Sequence, residues 1–141
     1  MKNVAVGIIV INDQVLACQR RKTVRYPLKW EFPGGKLETG ESAREALIRE
    51  LQEELDIQAN PERELLTHEW TYRESATGTE PLGAFRVTYF LVPSFRGTIT
   101  NRTFEAIRWV TPEELSRMDV LEGNREAIRL LLKHRQTDAA L

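Results

Sequence analysis

The stretch PGGKLETGESAREALIRELQEELDI, residues 33–57, decides the fold because it joins a glycine-rich loop to a helix with a readable start and phase. Ser42 opens a Ser-x-x-Glu capping box, which predicts a helix from Ser42 to about Leu55. Successive residues turn by 100°, so Ile48, Leu51 and Leu55 are expected on one apolar stripe. This stripe predicts packing of the helix against a core.

Three carboxylates fall on one edge of this helix, beside the apolar stripe. Glu50, Glu53 and Glu54 lie within an arc of about 100°, where like charges repel one another. A solvated acidic face would explain an arbitrary Glu-rich helix. Here Gly34 and Gly35 lie just upstream, where the backbone can turn sharply and aim a carbonyl at a cation. Hard cations such as Mg²⁺ and Mn²⁺ prefer such oxygen ligands, so the pattern favours a metal site.

Outward from this stretch, the sequence predicts strands on both sides. The β-branched run from Val4 to Ile11 is typical of a strand buried on both faces. Asn12 and Asp13 then predict a turn into a return strand over residues 15–18. Further strand patterns cover Glu64–Tyr72, Ala84–Val92 and Ala106–Val110.

A second helix is predicted after these strands, from Asn124 to about Arg135, with a short helical turn starting at Thr111. Residues 75–83 are expected to form a loop, and residues 136–141 a frayed tail. Residues 1–135 are therefore expected to form a single α/β domain, with a helix on each face of a mixed sheet.

Composition agrees with one folded domain of 141 residues, since 41% are hydrophobic and 29% charged. A net charge of -1 gives no general attraction for a nucleic-acid polymer or an anionic membrane, so neither partner is expected. The longest apolar run is shorter than the ~20 residues of a membrane-spanning helix. A single cysteine, Cys18, cannot form an intrachain disulfide, which favours a cytoplasmic location.

The quoted stretch resembles the box of the Nudix hydrolase family, Gly-x5-Glu-x7-Arg-Glu-U-x-Glu-Glu-x-Gly-U, where U is a bulky aliphatic residue. Gly35, Glu41 and the run from Arg49 to Ile57 match it at the required spacings. One fixed position differs, because Asp56 stands where the family has glycine at the helix end. The resemblance extends from the first strand to the last helix, and is closest to the MutT-like branch. It implies an α/β/α sandwich around a mixed sheet.

The resemblance also implies hydrolysis of a nucleoside diphosphate linked to a further group, with Mg²⁺ or Mn²⁺ as cofactor. Carried over by motif position, Glu50 and Glu54 are the main metal ligands, and the Gly34 carbonyl is another. Glu53 is a ligand or the general base, and Glu41 binds the metal through water. Metals held there would neutralise the diphosphate charge and activate the attacking water.

Other candidates follow from the same resemblance. Arg49 is expected to orient a site carboxylate, while Lys36 and Arg21 point toward phosphate, although either could be a solvated surface cation. Glu105 is a second candidate for general base. It is offset by one residue from the position where some relatives carry a glutamate, so an ordinary loop acid is the preferred interpretation.

Base recognition is assigned to Asn124, since residues 123–128 resemble the stretch in MutT whose asparagine reads the purine edge. An amide donates and accepts, which suits an oxidised guanine. The alternative is that Asn124 only caps its helix. Tyr26, Phe85 and Trp30 could stack on a base, but aromatic residues on strands more often belong to the core.

Three functions remain open at this level. The leading one converts a nucleoside triphosphate, such as 8-oxo-dGTP, dGTP or CTP, to the monophosphate and pyrophosphate. The second is hydrolysis of ADP-ribose or a nucleotide sugar, which the loop at residues 75–83 could serve. The third is a non-catalytic nucleotide-binding module, which the complete set of box carboxylates disfavours. The oligomeric state is not predicted.

Overall fold

A computed structural model describes residues 1–73 and 81–139. The strands are β1 Lys2–Ile11, β2 Gln14–Gln19, β3 Trp30–Glu31, β4 Gly34–Lys36, β5 Gln58–Asn60, β6 Arg63–Arg73, β7 Pro81–Val92, β8 Ser94–Arg96 and β9 Ala106–Val110. The helices are α1 Ala43–Leu55, α2 Pro112–Ser116 and α3 Arg125–Ala139, and a short 3₁₀ turn, Glu122–Asn124, precedes α3. No helix within the described residues is both long and apolar enough to cross a membrane.

The main sheet is mixed, as the sequence predicts. Its order is β3-β2-β1-β7-β6, with β4 also paired to β1 and β9 also paired to β2. Strand β1 runs parallel to β7, from the pair Lys2–Phe85 to the pair Ile9–Val92, and the other pairings are antiparallel. Strands β5 and β8 form a separate two-stranded sheet. Strand β1 is therefore central, which explains its nearly continuous apolar sequence.

Helices cover both faces of β1, which gives the predicted α/β/α sandwich. Ala5 and Ile9 point into a core cluster that contains Leu51 of α1. Val6 on the alternate face belongs to a second cluster with Ile128 of α3. The period-two alternation of a strand thus divides β1 between two cores. The sheet fixes α1 and its preceding loop on one side of the molecule.

The predicted ends of α1 are confirmed. The Glu45 backbone N–H donates to the Ser42 hydroxyl over 3.1 Å, and the Ser42 N–H donates to the Glu45 carboxylate over 3.0 Å. At the other end Asp56 has φ 57°, in the left-handed region, and its N–H donates to the Gln52 carbonyl. Asp56 therefore fills the conformational role that glycine has in the family motif.

Three predictions about the elements are wrong in detail. Ile48 is 39% exposed, and Leu47 is buried on the core side of α1 in its place. The loop predicted at residues 75–83 ends earlier, because β7 already starts at Pro81, and its residues 75–80 lie outside the described chain. Helix α3 starts at Arg125 and runs to Ala139, beyond the predicted end at about Arg135.

Candidate active site

The glycine loop brings backbone atoms against the carboxylates of α1. A Cβ on Gly34, which has φ 152°, would lie 2.1 Å from the Ala5 carbonyl oxygen. A Cβ on Gly35 would lie 2.3 Å from Cδ of Glu50. The Gly34 N–H donates to Glu54 Oε1 over 3.0 Å. Only glycine permits this close approach, so the loop and the acidic edge form one site.

The Gly34 carbonyl lies outside the ladder between β1 and β4. The N–H of Gly7 donates to Pro33, and the N–H of Leu37 donates to Asn3, so these are hydrogen-bonded pairs. Bonded and non-bonded pairs alternate in an antiparallel ladder, which makes Val6–Gly34 a non-bonded pair. The backbone groups of Gly34 are therefore free of the sheet and available on the side of α1.

Arg49 connects the carboxylates around this loop. Its guanidinium donates to both oxygens of Glu41, over 2.7 and 2.9 Å, and to Glu50 over 2.9 Å. A longer contact of 3.4 Å reaches Glu53. These bonds lower the pKa of Glu41 to about 2 and raise the pKa of Arg49 above its usual value. Arg49 is thus hydrogen-bonded to three of the carboxylates that the resemblance assigns to the site.

The surroundings of Glu54 and Glu50 disfavour the charged forms of both carboxyl groups. Burial, followed by the neighbouring charge of Glu50, raises the pKa of Glu54 to about 8. Burial also raises the pKa of Glu50, against the opposing effect of Arg49. Each shift means that the folded protein disfavours the charged carboxylate as it stands. A cation beside the two groups would remove that penalty.

The donor set fits a hard divalent cation. It combines carboxylate oxygens from α1 with the carbonyl oxygen of Gly34 in the neighbouring loop. These are the ligand types that Mg²⁺ and Mn²⁺ prefer. Among the described residues, no three acidic, histidine or cysteine side chains already form a metal-sized cluster. Glu50 and Glu53 instead form ion pairs with Arg49, over 2.9 and 3.4 Å.

A cavity of about 510 Å³ extends from this loop across the sheet. Gly34 and Lys36 of the loop line it, and so does Asn124, whereas the carboxylates of α1 lie outside its lining. Apolar side chains of β1 and β7 also line it, including Val6 and Val87. The volume is within the range of small-ligand sites. The cavity therefore has both the glycine loop and the Asn124 side chain in its lining.

Asn124 is 6% exposed and is held by two hydrogen bonds. Its Oδ1 accepts from the Phe32 backbone N–H over 3.1 Å, and its Nδ2 donates to the Tyr89 hydroxyl over 2.9 Å. That hydroxyl donates to the Gly123 carbonyl over 3.1 Å. The helix-cap interpretation of Asn124 is therefore wrong, because its side chain bonds across the fold. One N–H and one lone pair of the amide remain.

The remaining candidates divide between the cavity and the surface. Tyr26 and Phe85 line the cavity, whereas Trp30 packs in the second core cluster under the Arg108 guanidinium. Arg21 lies outside the cavity lining and donates to the Thr103 carbonyl over 2.5 Å. Exposed Glu105 precedes β9 and also lies outside that lining.

The sequence interpretation missed a charged pair in the cavity, Arg20 and Glu31. Arg20 Nη1 lies 3.2 and 3.3 Å from the two Glu31 oxygens, and both residues line the cavity. Burial raises the pKa of Glu31 to about 7 in spite of Arg20. The pairing of β2 with β3 brings the two residues together, and no local spacing signals that pairing.

This fold and site define an α/β protein whose acidic helix edge faces a glycine loop at one end of a ligand-sized cavity. The NUDIX domain family matches residues 1–131. The CTP pyrophosphohydrolase of Escherichia coli (strain K12) is 37% identical over 114 residues, covering 81% of this chain and 78% of that protein. The chain belongs to the NUDIX family and is a Nudix hydrolase, a class that generally uses divalent metal ions.

Two further similarities support the assignment. The 8-oxo-dGTP diphosphatase of Buchnera aphidicola subsp. Schizaphis graminum is 26% identical over 132 residues, which are 93% of each chain. The solution structure of the E. coli ORF135 protein superposes with a TM-score of 0.80 at 30% identity, covering 96% of this chain and 91% of that one. The family resemblance in the sequence is therefore confirmed across the domain.

Proposed function

We propose that the protein hydrolyses a nucleoside triphosphate, with 8-oxo-dGTP, dGTP and CTP as candidates, to the monophosphate and pyrophosphate. The observation that carries this proposal is that one cavity is lined both by Gly34, whose N–H donates to Glu54 of the acidic helix, and by Asn124. A nucleotide has phosphates at one end and a base at the other, so its phosphates would match the Gly34 side of the cavity and its base the Asn124 side. Relatives named for CTP and for 8-oxo-dGTP support this substrate class.

The metal site of this proposal consists of Glu50, Glu53, Glu54 and the Gly34 carbonyl, with Glu41 acting through water. Mg²⁺ is the proposed cofactor and Mn²⁺ an alternative. When bound, the cation supplies neutralisation of phosphate charge and activation of the attacking water. The raised pKa values of Glu50 and Glu54 support the placement, because both carboxylates gain from a nearby positive charge.

The protein's own side chains have separate roles in the proposed reaction. Arg49 holds Glu41 and Glu50 in place and is a positioning residue. Glu53, whose side chain is 58% exposed, takes the proton of the attacking water. Lys36 binds phosphate at the charged end. Arg21 remains a predicted phosphate contact that would require its guanidinium to leave the Thr103 carbonyl.

At the other end, Asn124 reads the base. Its amide cannot rotate freely, because Phe32 fixes the oxygen and Tyr89 fixes the nitrogen. The remaining N–H and lone pair therefore have defined positions, and a base that offers the complementary acceptor and donor is selected. This arrangement suits the added ring N–H of an oxidised guanine.

A substrate panel with saturating Mg²⁺ tests the proposal. It should include 8-oxo-dGTP, dGTP, CTP, ADP-ribose and a nucleotide sugar, with both products identified. Release of pyrophosphate and a monophosphate is expected. Release of a sugar phosphate with a monophosphate would instead establish the second function. Tight nucleotide binding without turnover would establish a non-catalytic module.

The general base is tested by comparing Glu53→Gln with Glu105→Gln. We expect Glu53→Gln to lower kcat by at least about 100-fold, in the usual range for a general base. Glu105→Gln should retain kcat within about twofold, because Glu105 lies outside the cavity lining. The reverse order of effects would transfer the role to Glu105.

A further inference from the structure

The segment between β2 and β3 brings an aromatic side chain to the 510 Å³ cavity. Tyr26 lines this cavity and is half-buried, whereas the other residues from 21 to 28 are exposed. In the core clusters formed by the described residues, Tyr26 has no place, unlike Phe85 and Trp30, which pack against the second cluster. Core packing therefore does not account for the position of Tyr26, which makes it a candidate for ligand contact.

The backbone at Tyr26 has an unusual conformation. Its φ is 51°, and Leu28 has φ 62°, both in the left-handed region that bulky residues rarely adopt. Such a conformation persists only where the surrounding structure fixes it. The Arg20 N–H donates to the Lys29 carbonyl over 2.9 Å, and the Leu28 N–H donates to the Arg20 carbonyl over 3.1 Å. These bonds close the segment at the end of β2.

The Arg20 side chain holds the middle of the segment. Its Nε donates to the Arg25 carbonyl over 2.8 Å, and that carbonyl belongs to the peptide group that contains the Tyr26 nitrogen. Its Nη1 donates to both oxygens of Glu31 on β3, over 3.2 and 3.3 Å. A planar guanidinium with several donors holds both partners in one geometry. Arg20 therefore connects the backbone at Tyr26 to the neighbouring strand.

We propose that Tyr26 stacks on the nucleobase of the substrate and that Arg20 positions it, an inference that rests on the hydrolysis proposed above. Tyr26 and Asn124 line the same cavity. A base can contact both, because an amide bonds its edge whereas an aromatic ring covers its flat face. Every base has a π face, so Tyr26 strengthens the binding of all candidate nucleotides and Asn124 selects among them.

Two substitutions at Tyr26 separate ring stacking from bulk. Tyr26→Leu keeps a bulky apolar side chain but removes the ring, and Tyr26→Phe keeps the ring. We expect Tyr26→Leu to raise KM for the preferred triphosphate about tenfold with kcat within about twofold, a change of the size of base–aromatic stacking. Tyr26→Phe should keep KM within about twofold of wild type. Lys22→Gln should leave KM unchanged and is the matched control, since Lys22 is exposed in the same segment and lies outside the cavity lining.

A double variant tests the positioning role of Arg20. Arg20→Lys keeps the positive charge beside Glu31 but loses the planar fork that also reaches the Arg25 carbonyl. Alone it should raise KM about fivefold, the worth of one hydrogen bond. In the Tyr26→Leu background it should raise KM by less than about twofold more, because its effect passes through the Tyr26 ring. Effects that multiply would show that Arg20 acts independently of Tyr26 and would overturn the positioning role.

Equilibrium binding separates this inference from the proposed function. Calorimetric titration of wild type and Tyr26→Leu compares dGMP and CMP with inorganic pyrophosphate, which lacks a base, at fixed Mg²⁺. We expect about tenfold weaker binding of both monophosphates and an unchanged affinity for pyrophosphate. This result would support base stacking even if no triphosphate is hydrolysed. Unchanged affinity for the monophosphates would refute stacking, and an equal loss for all three ligands would place Tyr26 at the phosphates instead.

Discussion

The acidic end of the site, at Gly34 and the carboxylates of α1, and its amide end, at Asn124, satisfy their polar groups in opposite ways. At the acidic end, Glu54 receives a backbone hydrogen bond from Gly34, yet burial and Glu50 keep its pKa near 8. At the amide end, Asn124 has a partner for both its oxygen and its nitrogen, and its neighbours Phe32 and Tyr89 are buried. The acidic end is electrostatically strained, whereas the amide end is neutral and fixed.

Under the proposed function, this difference separates catalysis from selection. Carboxylates with raised pKa values gain most from a cation, so we expect the acidic end to be completed by a metal cofactor. A buried amide with fixed partners has little freedom to adapt, so we expect the amide end to discriminate between bases. Substitutions at the first end should change the rate for every substrate, and substitutions at the second end should change the ratio between substrates.

Glu54→Gln should produce the largest effect, because it removes a ligand charge and preserves side-chain shape. We expect kcat at saturating Mg²⁺ to fall by at least about 100-fold for all substrates. Stability without metal should not fall, since the neutral amide avoids the cost of a buried charge. Activity within a fewfold of wild type would contradict the ligand role. A lower apo Tm would identify Glu54 as a structural partner in this region.

Asn124→Ala tests the amide end. We expect the ratio of kcat/KM values for 8-oxo-dGTP and dGTP to change by a factor equivalent to about 1–3 kcal/mol. The kcat for the preferred triphosphate should change little. Unfolding free energy should also drop by about 1–3 kcal/mol, because Phe32 N–H and the Tyr89 hydroxyl lose their partner.

Tyr89→Phe is the matched control for that loss, since Tyr89 lies behind Asn124 and outside the cavity lining. It should lower the unfolding free energy by about 1 kcal/mol and keep the Phe32 contact of the amide. The ratio of kcat/KM values for 8-oxo-dGTP and dGTP should then change less than it does in Asn124→Ala. If Asn124→Ala leaves the ratio at the wild-type value, Asn124 does not contact the base.

Glu31, which lines the cavity, provides a pH test. Its folded pKa is about 7, above the ordinary value of 4.5, so the folded state keeps a proton that the unfolded chain releases. Its contribution to stability is full below pH 4.5 and is lost as pH rises through 7. Glu31→Gln cannot lose this proton, so its stability relative to wild type should increase across that window.

Urea unfolding at pH 4.5, 6 and 8 measures this difference. Arg20, which pairs with Glu31, is the charged group that opposes the shift. A relative stability of Glu31→Gln that declines with pH would mean that the Arg20 pair outweighs burial, contrary to our expectation.

The smallest effect is expected at Asp56, the one departure from the family box. Asp56→Gly and Asp56→Ala both remove the 3.0 Å ion pair to Arg102, but only glycine adopts φ 57° without steric cost. The glycine variant should therefore be more stable than the alanine variant by about 1 kcal/mol. Both should retain wild-type kcat. A loss of kcat in Asp56→Gly would show that this position supports the metal ligands as well as the helix end.

Much of the fold could be predicted because its signals are local. A capping box, a left-handed residue at a helix end and a β-branched run each depend on neighbours within a few positions. The exposed Ile48 shows the limit of that logic. Helical phase defines which residues share a stripe, but the sheet decides which of two adjacent positions, Leu47 or Ile48, is covered.

By itself the sequence determined the α/β class, the capped acidic helix with Glu50, Glu53 and Glu54, and the glycine loop beside it, since all of these lie within one short stretch. Only the tertiary structure decided what surrounds that stretch. Asn124 meets Phe32 across 92 positions of the chain, and the Arg20–Glu31 pair arises where β2 and β3 align side by side. Such contacts depend on strand order and register, which no local spacing encodes.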